Sequence, residues 1–306
     1  MKNIIIFTVL VVFIPFFIVI LFNNYNIKEI QLNYVNNTTI RVKRVDSNKI
    51  DVVPLESYIV GVLAGEMPIY FEKEALKAQA VASRSYALKR IEYNKDNDYD
   101  VVDSVLNQVY LDDNYLKKVW GNDYIKNINK LRTAVNETLD EYLEYDGDVV
   151  DALFFSTSNG YTEDSSLVFN LDLPYLKSVE SSWDKDTSAV FNSTTSISLQ
   201  EFYDKLDLDY NKNLKIEIVE RSKSNRIIKL KINNIEINAR DMYNKLGLRS
   251  TDFDIKQEGS NVIINTKGYG HGVGLSQYGA QGMAKEGYSY DKILLHYYTD
   301  VKIKKI

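Results

Sequence analysis

The alternation of apolar and polar positions divides the chain into two parts. Residues 4–22 are apolar except for Thr8, with Lys2 before them and no acidic residue inside. At 1.5 Å of helical rise per residue, that run is long enough to cross a hydrocarbon core of about 30 Å. The lysine places the short N-terminus in the cytoplasm and everything after the run outside. Pro15 is tolerated in a membrane helix. The run ends in Leu21-Phe22-Asn23-Asn24-Tyr25, which lacks the small residues of a signal-peptide cleavage site. The expectation is an uncleaved anchor at 1–22, a polar juxtamembrane linker at 23–37 and an extracytoplasmic domain at 38–306.

Within that domain the periodicities are mixed. Residues 38–45 and 49–53 predict short strands around Asp46-Ser47-Asn48. Pro54 then opens a helix whose Leu55, Ile59, Val62 and Leu63 recur at helical spacing, and Pro68 closes it. A second helix is expected at 72–93, rich in alanine and other strong formers, and a third at 122–138. Residues 142–145 and 149–155 predict a hairpin through Asp146-Gly147, a favoured two-residue turn. Residues 181–196, rich in Ser, Thr and Asp, predict a surface loop. A helix at 199–206, strands at 214–219 and 226–232, a helix at 239–246 and a hairpin around Gly259-Ser260 follow. A glycine-rich stretch at 268–279 leads into terminal helices. No internal repeat and no regular βαβ rhythm emerges, so the fold class is α+β, one mixed domain with about 181–267 as a candidate inserted subdomain.

Composition narrows the chemistry. There is no cysteine among 306 residues, which removes disulfide frameworks, zinc ribbons, iron–sulfur clusters and thiol nucleophiles. His271 and His296 are the only histidines and lack zinc-protease spacing. A net charge of −5 lacks the basic excess of a nucleic-acid binder. The 23 tyrosines pair apolar rings with polar tips, which suits sugar surfaces and plain strands alike.

Four segments could carry a reaction. In Ala64-Gly65-Glu66-Met67-Pro68 the glutamate closes a helix, where the dipole disfavours a negative charge. Partial desolvation acts in the same direction, toward a carboxyl that keeps its proton, as general acid catalysis requires. By position alone, a solvated turn glutamate is the simpler reading. In the second helix, Gln79, Ser83 and Tyr86 share one face as a polar stripe, facing either a ligand groove or water. Phe154 to Asp164 runs from a strand into Ser156, Ser158, Asn159, Tyr161 and Glu163, at a site-lining strand end or an ordinary turn. The last segment, 268–282, carries evenly spaced glycines around His271 and matches no nucleotide-binding loop. It reads as a rigid, ligand-facing loop.

Taken together, these segments resemble the stage II sporulation protein D family, whose relatives include amidase-enhancer proteins. The resemblance rests on Val53 to Tyr58 running into Ala64-Gly65-Glu66-Met67-Pro68, on Glu74 to Ala82, on Phe154 to Glu163, on Leu246 to Ser250 and on Gly270 to Ala280. It spans nearly the whole chain after the anchor. It implies a membrane-anchored lytic transglycosylase that acts on peptide-stripped peptidoglycan strands during forespore engulfment. The enzyme would work beside a partner amidase and a membrane scaffold protein, in the space between the septal membranes. The alternative is a non-catalytic, wall-binding amidase enhancer.

The resemblance makes Glu66 the catalytic acid and resolves the shortage of carboxylates. A hydrolytic glycosidase usually needs two. A lytic transglycosylase manages with one, because the muramic acid's own C6 hydroxyl is the nucleophile that closes a 1,6-anhydro ring. Sugars would be held by Gln79, Ser156, Ser158, Tyr161, His271, Gln277 and Tyr278, with Tyr86 stacking on a ring and Arg84 meeting a lactyl carboxylate. Some family members carry zinc on a histidine and cysteines after the second helix. Residues 103–110 here contain neither, so no metal and no cofactor is expected.

Overall fold

The computed structural model describes residues 28–306, together with Ile14. The anchor expected at 1–22 lies outside them apart from that one position. Among the described residues no helix is long and apolar enough to cross a membrane. From Lys28 onward the segment expected as a linker is tied down: Asn129, Arg132 and Asn136 hydrogen-bond the backbone of Lys28, Ile30, Gln31 and Asn33.

Strand β1 (Thr39–Lys43) pairs antiparallel with β2 (Ile50–Pro54), with Arg41 opposite Val52. Pro54, extended at φ −55° and ψ 134°, passes directly into α1 (Leu55–Glu66). Helix α2 (Lys73–Tyr93) is the central post. Ala75, Ala78, Ala80, Ala82 and Ala87 are all fully buried, and these small side chains let neighbouring elements close on several of its faces. Strand β3 (Val101–Val102) adds in parallel to β1. Helix α3 (Asp113–Trp120), which the sequence reading missed, begins where the Asp112 side chain accepts from the Tyr115 N–H. Helix α4 (Tyr124–Glu137) follows.

Strands β4 (Glu141–Tyr145) and β5 (Asp148–Val149) form the expected hairpin, with Asp146 and Gly147 both at positive φ. The expected second arm stops short. Val150 and Ala152 are buried, and β6 (Phe154–Phe155) leaves the hairpin to pair in parallel with a strand far along the chain. After α5 (Ser165–Phe169), the expected surface loop at 181–196 is corrected in two ways. It contains α6 (Asp184–Thr187) and opens β7 (Asn192–Ser198), and its Ser181 and Asp184 are fully buried. Its polarity serves an internal network, in which Ser158, Ser181 and Ser276 donate hydroxyl hydrogen bonds to the Asp184 carboxylate.

Helix α7 (Leu199–Leu206) is capped by Ser198, and β8 (Ile216–Arg221) and β9 (Ile227–Ile232) come where expected. Strand β10 (Ile235–Asn238) follows a tight Asn233-Asn234 turn, both residues at positive φ. Helix α8 (Ala239–Leu246) then precedes the hairpin of β11 (Phe253–Glu258) and β12 (Asn261–Lys267), and β12 also pairs with β7. Strand β13 (Leu275–Ser276) is the parallel partner of β6. Helices α9 (Gln277–Lys285) and α10 (Tyr290–Tyr297) come next, and β14 (Lys302–Lys305) closes on β4.

Two apolar cores result. The larger is built on α1, α2 and α4 and on the last helices. The second takes all its buried residues from 199–264, including Phe202, Leu230, Met242 and Ile264. Each fully buried Leu, Ile or Phe contributes roughly 1.5–3 kcal/mol of transfer free energy, so each group forms a core of its own.

Candidate active site

Glu66 is the last residue of α1, and what surrounds it follows from two glycines one turn apart. A Cβ on Gly61 would lie 2.4 Å from the Tyr110 ring, and one on Gly65 would lie 2.5 Å from the Val109 carbonyl oxygen. Only glycine lets the 109–111 segment lie this close to the helix. That approach brings the Val109 N–H to Glu66 Oε1 at 2.7 Å. Gln277, the first residue of α9, reaches in from the other side, its Nε2 donating to Glu66 Oε2 at 3.4 Å.

Burial pushes the Glu66 carboxyl above its ordinary range, and the two hydrogen bonds only partly offset it. No cation lies within salt-bridge distance of Glu66 among the described residues, and the C-terminal end of α1 adds no positive field. The group is therefore held in place, and it loses its proton less readily than an exposed glutamate.

Aromatic residues flank it. The Tyr278 ring packs edge-on against Phe71 at 5.0 Å, and its hydroxyl lies 3.4 Å from that of Tyr70. Burial and the neighbouring phenol raise the Tyr278 hydroxyl to about 12. Tyr70 is two-thirds exposed, so one ring is open to a ligand. On the other flank the Asn107 amide donates to the Tyr86 hydroxyl at 2.9 Å, and the Tyr58 hydroxyl donates to Gln108 at 3.1 Å. The 107–109 segment thus serves Tyr86, Tyr58 and Glu66 in succession.

The residues expected to bind sugar divide accordingly. Tyr86, Gln277 and Tyr278 stand around Glu66, and half-buried Ser156 is beside them, its carbonyl accepting from the Tyr278 N–H at 3.0 Å. The other five are placed differently. Gln79 is fully buried, its amide donating to Ser83 at 3.0 Å. Arg84 is fully buried too: its Nε and Nη2 donate to the two Glu56 oxygens at 2.8 and 2.6 Å, and its Nη1 donates to the Glu141 carbonyl. No hydrogen of that fork faces a groove. Ser158 is enclosed in the Asp184 network. Tyr161 is exposed, and its carbonyl accepts from Arg226.

His271 lines a cavity wall, but both ring nitrogens are occupied. Its Nδ1 accepts from the Val273 N–H at 3.1 Å, and the Phe154 carbonyl accepts from the ring. Burial and the nearby Arg240 lower it to about 4, so it is neutral near pH 7. The next glycine, Gly272, has φ +85°, and a Cβ there would lie 2.7 Å from the Arg226 guanidinium. The glycine stretch is thus shaped partly to pack on buried Arg226. The reading from sequence missed Val109, Asn107 and Tyr70. The Gly61/Gly65 spacing was the available sign of a close-packed partner, but it did not say which segment.

A family model described as "Stage II sporulation protein" matches residues 43–145, a span that contains Glu66 and Val109. A second, "Domain of unknown function (DUF8618)", matches 112–274. The chain is 40% identical over 272 residues to Stage II sporulation protein D of Bacillus amyloliquefaciens, covering 87% of this chain and 79% of that protein. It is 38% identical to Stage II sporulation protein D of Bacillus subtilis (strain 168) over the same length and with the same coverage. To the Amidase enhancer of Bacillus subtilis (strain 168) it is 29% identical over 292 residues, covering 78% of this chain and 39% of that protein.

Proposed function

The chain belongs to the stage II sporulation protein D family, and from that premise we propose that it is a lytic transglycosylase of peptide-stripped peptidoglycan. The observation that carries this reading is the Glu66 carboxyl, positioned by Val109 and Gln277, raised by burial and lacking a cation. Such a group gives up its proton to the oxygen between N-acetylmuramic acid and N-acetylglucosamine as that bond breaks. The resulting carboxylate takes the proton of the muramic acid's C6 hydroxyl, whose oxygen closes onto C1 as the 1,6-anhydro ring. The acid is thereby regenerated and no water is consumed. Tyr70 and half-buried Tyr278 offer ring faces and hydroxyls to the sugars beside the scissile bond, whereas buried Tyr86 already carries Arg90 on its ring and Asn107 on its hydroxyl.

The apolar run at 4–22 fits a membrane anchor holding the domain outside the cytoplasm, beside an amidase that strips the strands and a membrane scaffold. The similarity to an amidase enhancer favours a second reading, a wall-binding protein that stimulates an amidase through the same groove. Product chemistry separates the two. Purified protein incubated with peptide-free glycan strands should release fragments with 1,6-anhydromuramic ends, seen by mass spectrometry, and Glu66→Gln should release none. Identical, empty spectra from both proteins across pH and salt would sink the enzymatic reading and leave the second.

A further inference from the structure

Asn107, two residues before the Val109 that holds Glu66, lines a cavity of about 570 Å³, within the ordinary range for ligand pockets. Apolar residues such as Phe154, Phe169 and Leu171 share its walls with polar ones, among them Tyr86 and Asn107. Two arginines face it, and they differ. Arg90 is held by Asp151 and lies over the Tyr86 ring at 4.5 Å. Half-buried Arg240 has no carboxylate within salt-bridge distance among the described residues. Its guanidinium lies 5.9 Å from the Phe169 ring and 5.5 Å from Tyr243.

The other charged groups nearby do not satisfy Arg240. Asp151 is spent on Arg90, and Glu163 accepts from the Ser222 and Ser224 hydroxyls. Asp241 lines the smaller neighbouring cavity and makes no ion pair among the described residues. A guanidinium carries five N–H donors in a fork that matches a carboxylate. An anionic group on an otherwise uncharged sugar would meet that fork beside the aromatic rings of Phe169 and Tyr243.

Peptidoglycan supplies such a group in one state only. While a stem peptide is attached, the lactyl carbonyl of muramic acid is an uncharged amide. Hydrolysis of that amide leaves a free carboxylate. We propose that Arg240 receives the free lactyl carboxylate of a muramic acid residue bound in this cavity, and so selects stripped strands over peptide-bearing ones. The proposal rests on the reading of the chain as a glycan-cleaving protein. It gives Arg240 the contact that the sequence suggested for Arg84. Arg240 stands on α8 in the second core, so that unit supplies a specificity residue to a site whose acid belongs to the first.

The test uses the full chain in detergent carrying Glu66→Gln, which binds strands without cleaving them. It is titrated with peptide-free strands and with the same strands after conversion of their lactyl carboxylates to methylamides. Loss of one charged hydrogen-bonding contact should weaken binding of the methylamide strands about tenfold. Adding Arg240→Ala should erase that difference, and Arg240→Lys, which keeps the charge but not the fork, should retain part of it. Equal affinity for both strands with Arg240 present, a difference that survives Arg240→Ala, or no binding of either strand would overturn the proposal. Binding is read on an inactive variant. Failure of wild-type protein to form anhydromuramic ends would therefore count against the cleavage reading alone.

Discussion

Helix α1 carries a glutamate near each end, and the two have opposite surroundings. Glu56, in the first turn, sits where the helix dipole favours an anion, and both its oxygens are gripped by Arg84. Glu66, in the last turn, faces the unfavourable end of the dipole and meets only a backbone N–H and a neutral amide. The same side chain on the same helix is therefore paired with an arginine in one place and without a cation in the other. Residue type and helix position set the tendency in each case, and the presence or absence of an arginine across the packing decides it.

Removing each group should separate the two roles, beginning with the largest effect. Glu66→Gln keeps the shape and loses the exchangeable proton. Formation of anhydromuramic ends should fall by about 10²-fold or more, with thermal stability little changed. A variant that retains wild-type turnover would take Glu66 out of the chemistry.

Arg84→Ala strands the buried Glu56 carboxylate. Breaking a buried pair by removing one partner costs about 3–5 kcal/mol, to be read by thermal or denaturant unfolding. Normal stability with weakened strand binding would return Arg84 to the sugar-binding set.

Gly65→Ala tests how Glu66 is held. The added methyl must displace the Val109 carbonyl, and overpacking of this kind costs about 1–3 kcal/mol. Turnover should fall along with stability, because the Val109 N–H leaves Glu66. Full activity at lowered stability would show that this hydrogen bond does not position the acid.

The smallest effect is the sharpest comparison. Gln277→Lys gives Glu66 the cation that Glu56 already has. The proton donor is the acid form, which is lost as pH rises through the Glu66 pKa. That pKa is raised in the wild type, so activity persists to higher pH than an ordinary glutamate allows. A nearby ammonium favours the carboxylate and should move the alkaline fall of the rate to lower pH by about one unit. An unmoved alkaline limb would mean that another group controls it.

The elements were largely readable because their signals are local. Pro54 opens α1, Asp146-Gly147 makes its turn, and α7 and α8 fall where their apolar spacing puts them. The failures involve distant partners. Phe154 and Phe155 look like the end of a hairpin arm, yet they pair with Leu275 and Ser276 across more than a hundred residues. The polar run at 181–196 looks like surface, yet Asp184 is buried, because hydroxyls from two distant segments, Ser158 and Ser276, join that of Ser181 on its carboxylate. Of the expected sugar contacts, Gln277 and Tyr278 lie beside Glu66, while Arg84 and Gln79 face inward. A polar stripe on a helix does not show whether it faces water or another polar stripe.

The sequence by itself determined the family, the α+β character, the glutamate proposed as the acid and the direction of the helix dipole acting on it. These depend on residue order, spacing and local backbone preference. Only the tertiary structure decided which glutamate of α1 is paired. It also decided which backbone N–H holds the other and that Arg240 faces a cavity with no carboxylate in salt-bridge distance among the described residues. Those outcomes depend on burial and on neighbours far apart in the chain, whose meeting no local pattern encodes.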